Sequence, residues 1–248
     1  MYKKRKQKKN IIYVLSILVL IIASMCYHTK DYDLTGNENN TYNFDDLNIP
    51  EWDGLSPYIE INNNIPMFST KNINYNIARV ESYEKYSELD SLGRCGVCEA
   101  IIGKDIMPTE ERGEIGIIKP TGWHTVKYPE VIEDVYLYNR CHLIGYQLTG
   151  ENANEKNLIT GTRYLNVSGM LPFENQIADY IRKTNNHVKY RVTPVFKDTE
   201  LLARGVILEA YSIEDQGKSV KFCVYCYNIQ PGISIDYSSG NSNITHQY

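Results

Sequence analysis

Along most of the chain, apolar and polar residues alternate in short runs suited to strands, and one stretch carries a helical period. Residues 58–62, Tyr58-Ile59-Glu60-Ile61-Asn62, alternate as a strand and stop at a turn made by Asn62, Asn63, Asn64 and Pro66. Residues 188–196, 205–213 and 220–229 read as three more strands. Polar turns at Lys197-Asp198 and Glu214-Asp215-Gln216-Gly217 separate them, which predicts an antiparallel meander. Residues 172–183 place Phe173, Ile177, Tyr180 and Ile181 at helical spacing behind Pro172, a residue suited to a helix start. Val135-Tyr136-Leu137-Tyr138 reads as an apolar, strand-like lead into Asn139-Arg140-Cys141-His142. The expected fold class is α+β, an antiparallel β-sheet with packed helices, and no internal repeat interrupts it.

The first residues follow a different pattern. Lys3, Lys4, Arg5, Lys6, Lys8 and Lys9 precede an apolar run over 11–25. A basic head before an apolar run is an export signal or anchor. A full span needs about 17–25 residues, and Cys26 and Tyr27 bring this run to the lower limit. The expected organisation is a signal-anchor over 1–27, a polar tether over 28–48 and a single domain over 49–248. The positive-inside rule places that domain outside the cell, anchored to the membrane, or secreted if the signal is cleaved.

Charge narrows the function. Lys and Arg total 26 against 30 Asp and Glu, a net −4. Without the six basic residues of the head, 20 − 30 leaves −10. Such a domain is poorly suited to holding nucleic acid by bulk charge, although a local basic cleft remains open to it. Arg94, Arg112, Lys119, Lys127, Arg140, Arg163 and Arg182 are the candidates to line one.

Six cysteines include the pairs Cys95/Cys98 and Cys223/Cys226. The second pair lies in a strand, where residues three apart face opposite sides, so the two cannot chelate one ion without a bend. The first pair could sit in a turn and bind metal or act in redox chemistry; burial as small hydrophobes is the favoured reading for both.

The densest chemistry begins at Arg140. In an extended backbone Arg140 and His142 share a face, joining a permanent forked cation to an imidazole that can take a proton near neutral pH. That pair suits attack by water on a phosphodiester. A buried strand end with a satisfied histidine is the competing reading.

Downstream lie Glu151-Asn152-Ala153-Asn154-Glu155-Lys156-Asn157 and Thr162-Arg163-Tyr164-Leu165-Asn166, then Leu171-Pro172-Phe173-Glu174. With the preceding run, this resembles the DNA/RNA non-specific endonucleases of the ββα-metal superfamily, especially streptococcal extracellular DNases and the membrane-anchored DNA-entry branch. The resemblance covers about residues 58–237 and is densest over 138–174. It implies His142 as general base, Arg140 as the motif arginine, Asn166 as the side chain that holds a divalent cation, and Glu174 as the carboxylate that orients its waters. Asn157 matches a second polar residue near the site, and Arg94, Arg112, Lys127, Arg163 and Arg182 are candidates for substrate binding. Two positions depart from the family signature: Asn139 stands where it has Asp, and Cys141 where it has Gly.

The implied function is a metal-dependent endonuclease with little sequence preference, using Mg²⁺ with Mn²⁺ as a substitute. DNA is its expected substrate, RNA is left open, and no protein partner is deducible. One amide oxygen plus a carboxylate suits a hard cation that keeps several waters. With an unperturbed histidine, activity should rise through neutral pH as His142 loses its proton. The alternative is a surface-tethered nucleic-acid-binding protein with a degenerate site, for which Asn139 and Cys141 are the support. Asn166 as a cap and Glu174 as a first-turn complement to a helix dipole are the structural alternatives.

Overall fold

The meander expected over 188–229 is the middle of a larger sheet. The computed structural model describes residues 44–68 and 80–245. Within them, β1 (Tyr58–Glu60), β2 (Tyr83–Tyr86), β3 (Cys98–Ile102), β6 (Val188–Val195), β7 (Gly205–Ser212) and β8 (Lys221–Tyr227) form a six-stranded sheet in the order β1-β8-β7-β6-β3-β2. Neighbours are antiparallel throughout. Residues of β6, β7 and β8 are buried on both faces because both are covered. Pro194 breaks the usual rule against proline in an inner strand. It is tolerated because the pairing with β3 ends at Val192, so the missing N–H falls beyond that partner.

One face of the sheet presents Ala100, Tyr190, Val192, Leu208, Val224 and Cys226 to the main core. The other presents Ile207, Cys223 and Tyr225 to a smaller core closed by Phe44, Leu47, Trp52 and Met67. Cys223 and Cys226 therefore point into different cores, as strand alternation requires. Phe44 and Leu47 fall within the stretch read as tether, yet both pack here, and the Phe44 N–H donates to the Phe196 carbonyl at 3.1 Å. The basic head and apolar run lie outside the described residues. Among the described residues, no helix is long and apolar enough to cross a membrane.

A second layer lies on the main core. Strands β4 (Tyr138–His142) and β5 (Leu158–Thr162) pair antiparallel, with Asn139 opposite Gly161 and His142 opposite Leu158. The chain then passes through a π-helical segment, Leu165–Met170, into the 14-residue helix α2 (Leu171–Thr184); the short helix α1 (Tyr146–Thr149) follows β4. The Thr162 hydroxyl accepts the Leu165 N–H at 2.9 Å and so starts the helix. Asn185, in the left-handed region at φ 57°, ends it. Ile177, Ala178 and Ile181 are fully buried, so the helical period read over 172–183 is the face that meets the sheet.

One local expectation fails. Residues 135–137 are not strand. Val135 sits at φ 62°, and the Tyr136 N–H donates to the Asp134 carbonyl at 2.8 Å, closing a γ-turn around a β-branched residue. Such a conformation costs about 1–3 kcal/mol and persists only where its surroundings enforce it. Apolar patterning is blind to it, because a valine before Tyr-Leu-Tyr matches a strand template.

Candidate active site

His142 closes β4, and everything around it follows from how the next fifteen residues are pinned. Asn157 is fully buried. Its amide clamps Ile144, accepting the Ile144 N–H at 2.8 Å and donating to the Ile144 carbonyl at 3.0 Å. This fixes the chain as it leaves His142 and turns at Gly145 into α1. Asn157, expected to bind substrate, is placed in the core beneath the site, with both ends of its amide bonded to backbone.

A cleft of about 660 Å³ opens above β4, lined among others by Arg112, Trp123, Tyr136, Asn139, Arg140, His142, Arg163, Asn166 and Glu174. Strand alternation brings Arg140 and His142 to the same side, as expected. It sends Cys141 into the core, where its sulfur occupies the space that a Cβ on Gly161 would need, at 2.4 Å from that position. Cysteine in place of the signature glycine is thus accommodated by a glycine on the paired strand.

The protonation state of His142 can be read from its partners. Nε2 lies 2.7 Å from the Asn152 carbonyl. A carbonyl only accepts, so Nε2 carries the proton and the lone pair of the neutral ring is on Nδ1. Arg112 Nη2 lies 3.4 Å from that Nδ1. Burial pulls the imidazole down to about 4, the Asn152 carbonyl opposes this, and the Arg112 charge adds to it. His142 is therefore neutral well below pH 6.5, and the expected titration through neutral pH does not occur in this environment.

Glu174 is only 8% exposed. Burial pushes its carboxyl up to about 7, against the pull of the Gly145 N–H, the Gln147 amide and Arg112. It is not a solvated first-turn residue, since the helix already continues from the π-segment before it. Gly145 is what lets it in: a Cβ there would stand 2.6–2.8 Å from the carboxylate atoms. Asn166, half-buried, projects from the π-segment, a backbone irregularity that recurs at functional sites.

The other basic candidates divide. Arg140 gives Nε to the Ile118 carbonyl at 2.5 Å and Nη2 to the Gly116 carbonyl at 2.9 Å, with its guanidinium 4.0 Å from the Trp123 ring centre. It holds one wall of the cleft in place. Arg163 lines the cleft and pairs with Asp134. Lys127 is outside the cleft lining but sets its ammonium 4.8 Å from the ring centre of Tyr136, which lines it. Arg94 and Arg182, also expected to bind substrate, lie outside the cleft lining. Arg94 is bound to Asp90 at 2.7 Å and to the carbonyls of Asp198 and Glu200, while Arg182 belongs to the far end of α2, paired with Asp179 at 3.8 Å. Trp123, Tyr136, Gly145 and Asn152 were not legible as site residues. Only the glycine three residues past His142 offered a signal.

The chemistry of the donors favours a hard cation. Asn166 and Glu174 offer oxygen, whereas Cys95, Cys98, Cys141, Cys223 and Cys226 are buried, unbridged thiols. Burial pushes the Cys95 thiol up to about 12, away from the thiolate that binds metal. Among the described residues, no group of three or more His, Cys, Asp or Glu could hold a metal. The oxygens of Asn166 and Glu174 suit a cation held by few side chains and completed by water.

A family model described as DNA/RNA non-specific endonuclease matches residues 71–214, more than half of the chain. A deoxyribonuclease of Streptococcus dysgalactiae subsp. equisimilis is 32% identical over 110 residues, a match covering 42% of this chain and 32% of that protein. The chain thus spans about a third of the length of that relative. Among solved structures, NucA from Streptococcus agalactiae with a bound magnesium ion aligns at a TM-score of 0.67 and 25% identity, over 80% of this chain and 91% of that one. The Sda1 nuclease with a bound zinc ion aligns at 0.61 and 26% identity, over 77% and 97%.

Proposed function

The chain belongs to the DNA/RNA non-specific endonuclease family, and on that premise we propose that it hydrolyses internal phosphodiester bonds of DNA, with RNA as a further substrate. The observation that carries this reading is the state of His142: its Nε2 proton is committed to the Asn152 carbonyl, so a lone pair on Nδ1 is available in the cleft that Asn166 and Glu174 also line.

Nδ1 accepts a proton from a water molecule, the water oxygen bonds to phosphorus, and the bond to the leaving oxygen breaks. The Asn152 carbonyl holds the ring in the useful tautomer and supports the positive charge it gains. Arg112, the cation against Nδ1, moves onto the phosphate as substrate enters and exposes the lone pair. Asn166 and Glu174 are the groups that hold a divalent cation and orient its waters, the cation being Mg²⁺ or, as a substitute, Mn²⁺. When bound, it supplies charge stabilisation at the phosphate and the leaving oxygen. The magnesium and zinc ions of the solved relatives support a divalent metal.

Asn166→Ala tests the ligand role. The Mg²⁺ concentration for half-maximal cleavage should rise on the order of tenfold or more, as for loss of a metal-site residue; an unchanged Mg²⁺ dependence would remove Asn166 from the metal site. The basic head and apolar run support an anchor that leaves the domain outside the cell, at a surface where it meets extracellular nucleic acid.

A further inference from the structure

Tyr136 has no part in the chemistry just described, yet the fold goes to unusual lengths to present it. The residue is 42% exposed in the cleft lining, while the next two residues, Leu137 and Tyr138, are buried. The γ-turn at Val135 makes this possible, because the left-handed residue rotates the chain before β4 begins. The turn is held on both sides: the Val135 N–H donates to the Ile132 carbonyl at 2.9 Å and the Tyr128 N–H to the Val135 carbonyl at 2.8 Å. Asp134 in the turn pairs with Arg163, and Lys127, bridged to Tyr136 through the backbone, sets its ammonium 4.8 Å from the ring centre.

We infer that Tyr136 and Lys127 form a subsite for one unstacked nucleobase and its phosphate, beside the bond attacked by the water that His142 deprotonates. The inference rests on the nuclease reading and adds a substrate preference to it. A strained residue that aims an exposed ring into a polar cleft has a use for that ring. Every base offers a π-face for stacking, whatever the sequence, and the ammonium at the ring serves the adjoining phosphate. A base inside an intact duplex is already stacked on its neighbours, so the subsite favours single strands.

The test is binding of the full chain to a labelled 12-nucleotide single strand in EDTA, read by fluorescence anisotropy, beside the same strand carrying abasic sites and the matching duplex. EDTA removes cleavage from the readout, so failure of the nuclease reading appears separately, as absent turnover with Mg²⁺. The wild type should bind the intact strand on the order of tenfold tighter than the abasic strand and tighter than the duplex. Tyr136→Ala should erase both differences, and Tyr136→Phe should keep them. Equal binding of intact and abasic strands by the wild type, a Tyr136→Ala loss that is the same for both, or no binding to any of the three would overturn the subsite.

Discussion

The guanidinium of Arg112 stands 3.4 Å from Nδ1 of His142, against the nitrogen left with a lone pair by the bond from Nε2 to the Asn152 carbonyl. The contact keeps a positive charge beside the base and, with burial, keeps the ring neutral. The His142 ring should therefore titrate near 4 and not near 6.5, as read by NMR of its ring protons. Arg112→Ala removes a charge that lowers the histidine, so this titration should move upward, while KM rises for loss of the phosphate contact. A ring that titrates at 6.5 in the wild type would contradict the buried, neutral histidine.

Gly145 and Glu174 give a second expectation. A Cβ at residue 145 would stand 2.6 Å from a carboxylate oxygen, and that oxygen is the end of a flexible side chain. Gly145→Ala should therefore destabilise the fold by about 1–3 kcal/mol, as overpacking at a buried position does, and lower kcat on the order of tenfold or more because the carboxylate moves. Urea unfolding and steady-state rates check the two halves. Loss of stability without loss of rate would mean that Glu174 only packs.

His142 and Glu174 also oppose each other in stability. The histidine, pulled down to about 4, contributes stability that is present above 6.5 and lost as pH falls from 6.5 towards 4. The carboxyl, pushed up to about 7, contributes stability that is present below 4.5 and lost as pH rises from 4.5 towards 7. Each pH unit of separation is worth about 1.4 kcal/mol, so in the wild type the two trends offset. Glu174→Gln removes one of them. Its stability should fall more steeply than the wild type between pH 6.5 and 4.5, as measured by denaturant unfolding across that range; parallel curves would place Glu174 in a more solvated setting.

Asn157 is a structural test. Its amide satisfies both main-chain groups of Ile144 inside the core. Asn157→Leu leaves a buried N–H and C=O without partners and should cost roughly 2–6 kcal/mol, given about 1–3 kcal/mol for each such group. Unfolding free energies decide it, and a neutral substitution would mean that water replaces the amide.

Much of this site was legible in the sequence because alternation along β4 is a local property. Arg140 and His142 share a face, Cys141 turns inward, and the helical period of 172–183 fixes where α2 meets the sheet. What was not legible depends on distant partners. The neutrality of His142 comes from burial and from Arg112, thirty residues away, and its tautomer from Asn152, ten residues away. Asn157 looked like a binding residue because an asparagine near a motif carries no mark of burial, and Arg94 looked free because its carbonyl partners lie more than a hundred residues on. The turn at Val135 hid behind a strand-like composition.

Digestion of supercoiled plasmid by the full chain, with Mg²⁺ or with EDTA and beside His142→Ala, tests the central claim most directly. Nicking followed by fragmentation, abolished both by EDTA and by the substitution, is the expected result. Cleavage that survives His142→Ala would show that Nδ1 of His142 is not the base. A folded wild-type chain that leaves the plasmid intact with Mg²⁺ and with Mn²⁺ would contradict the nuclease function itself.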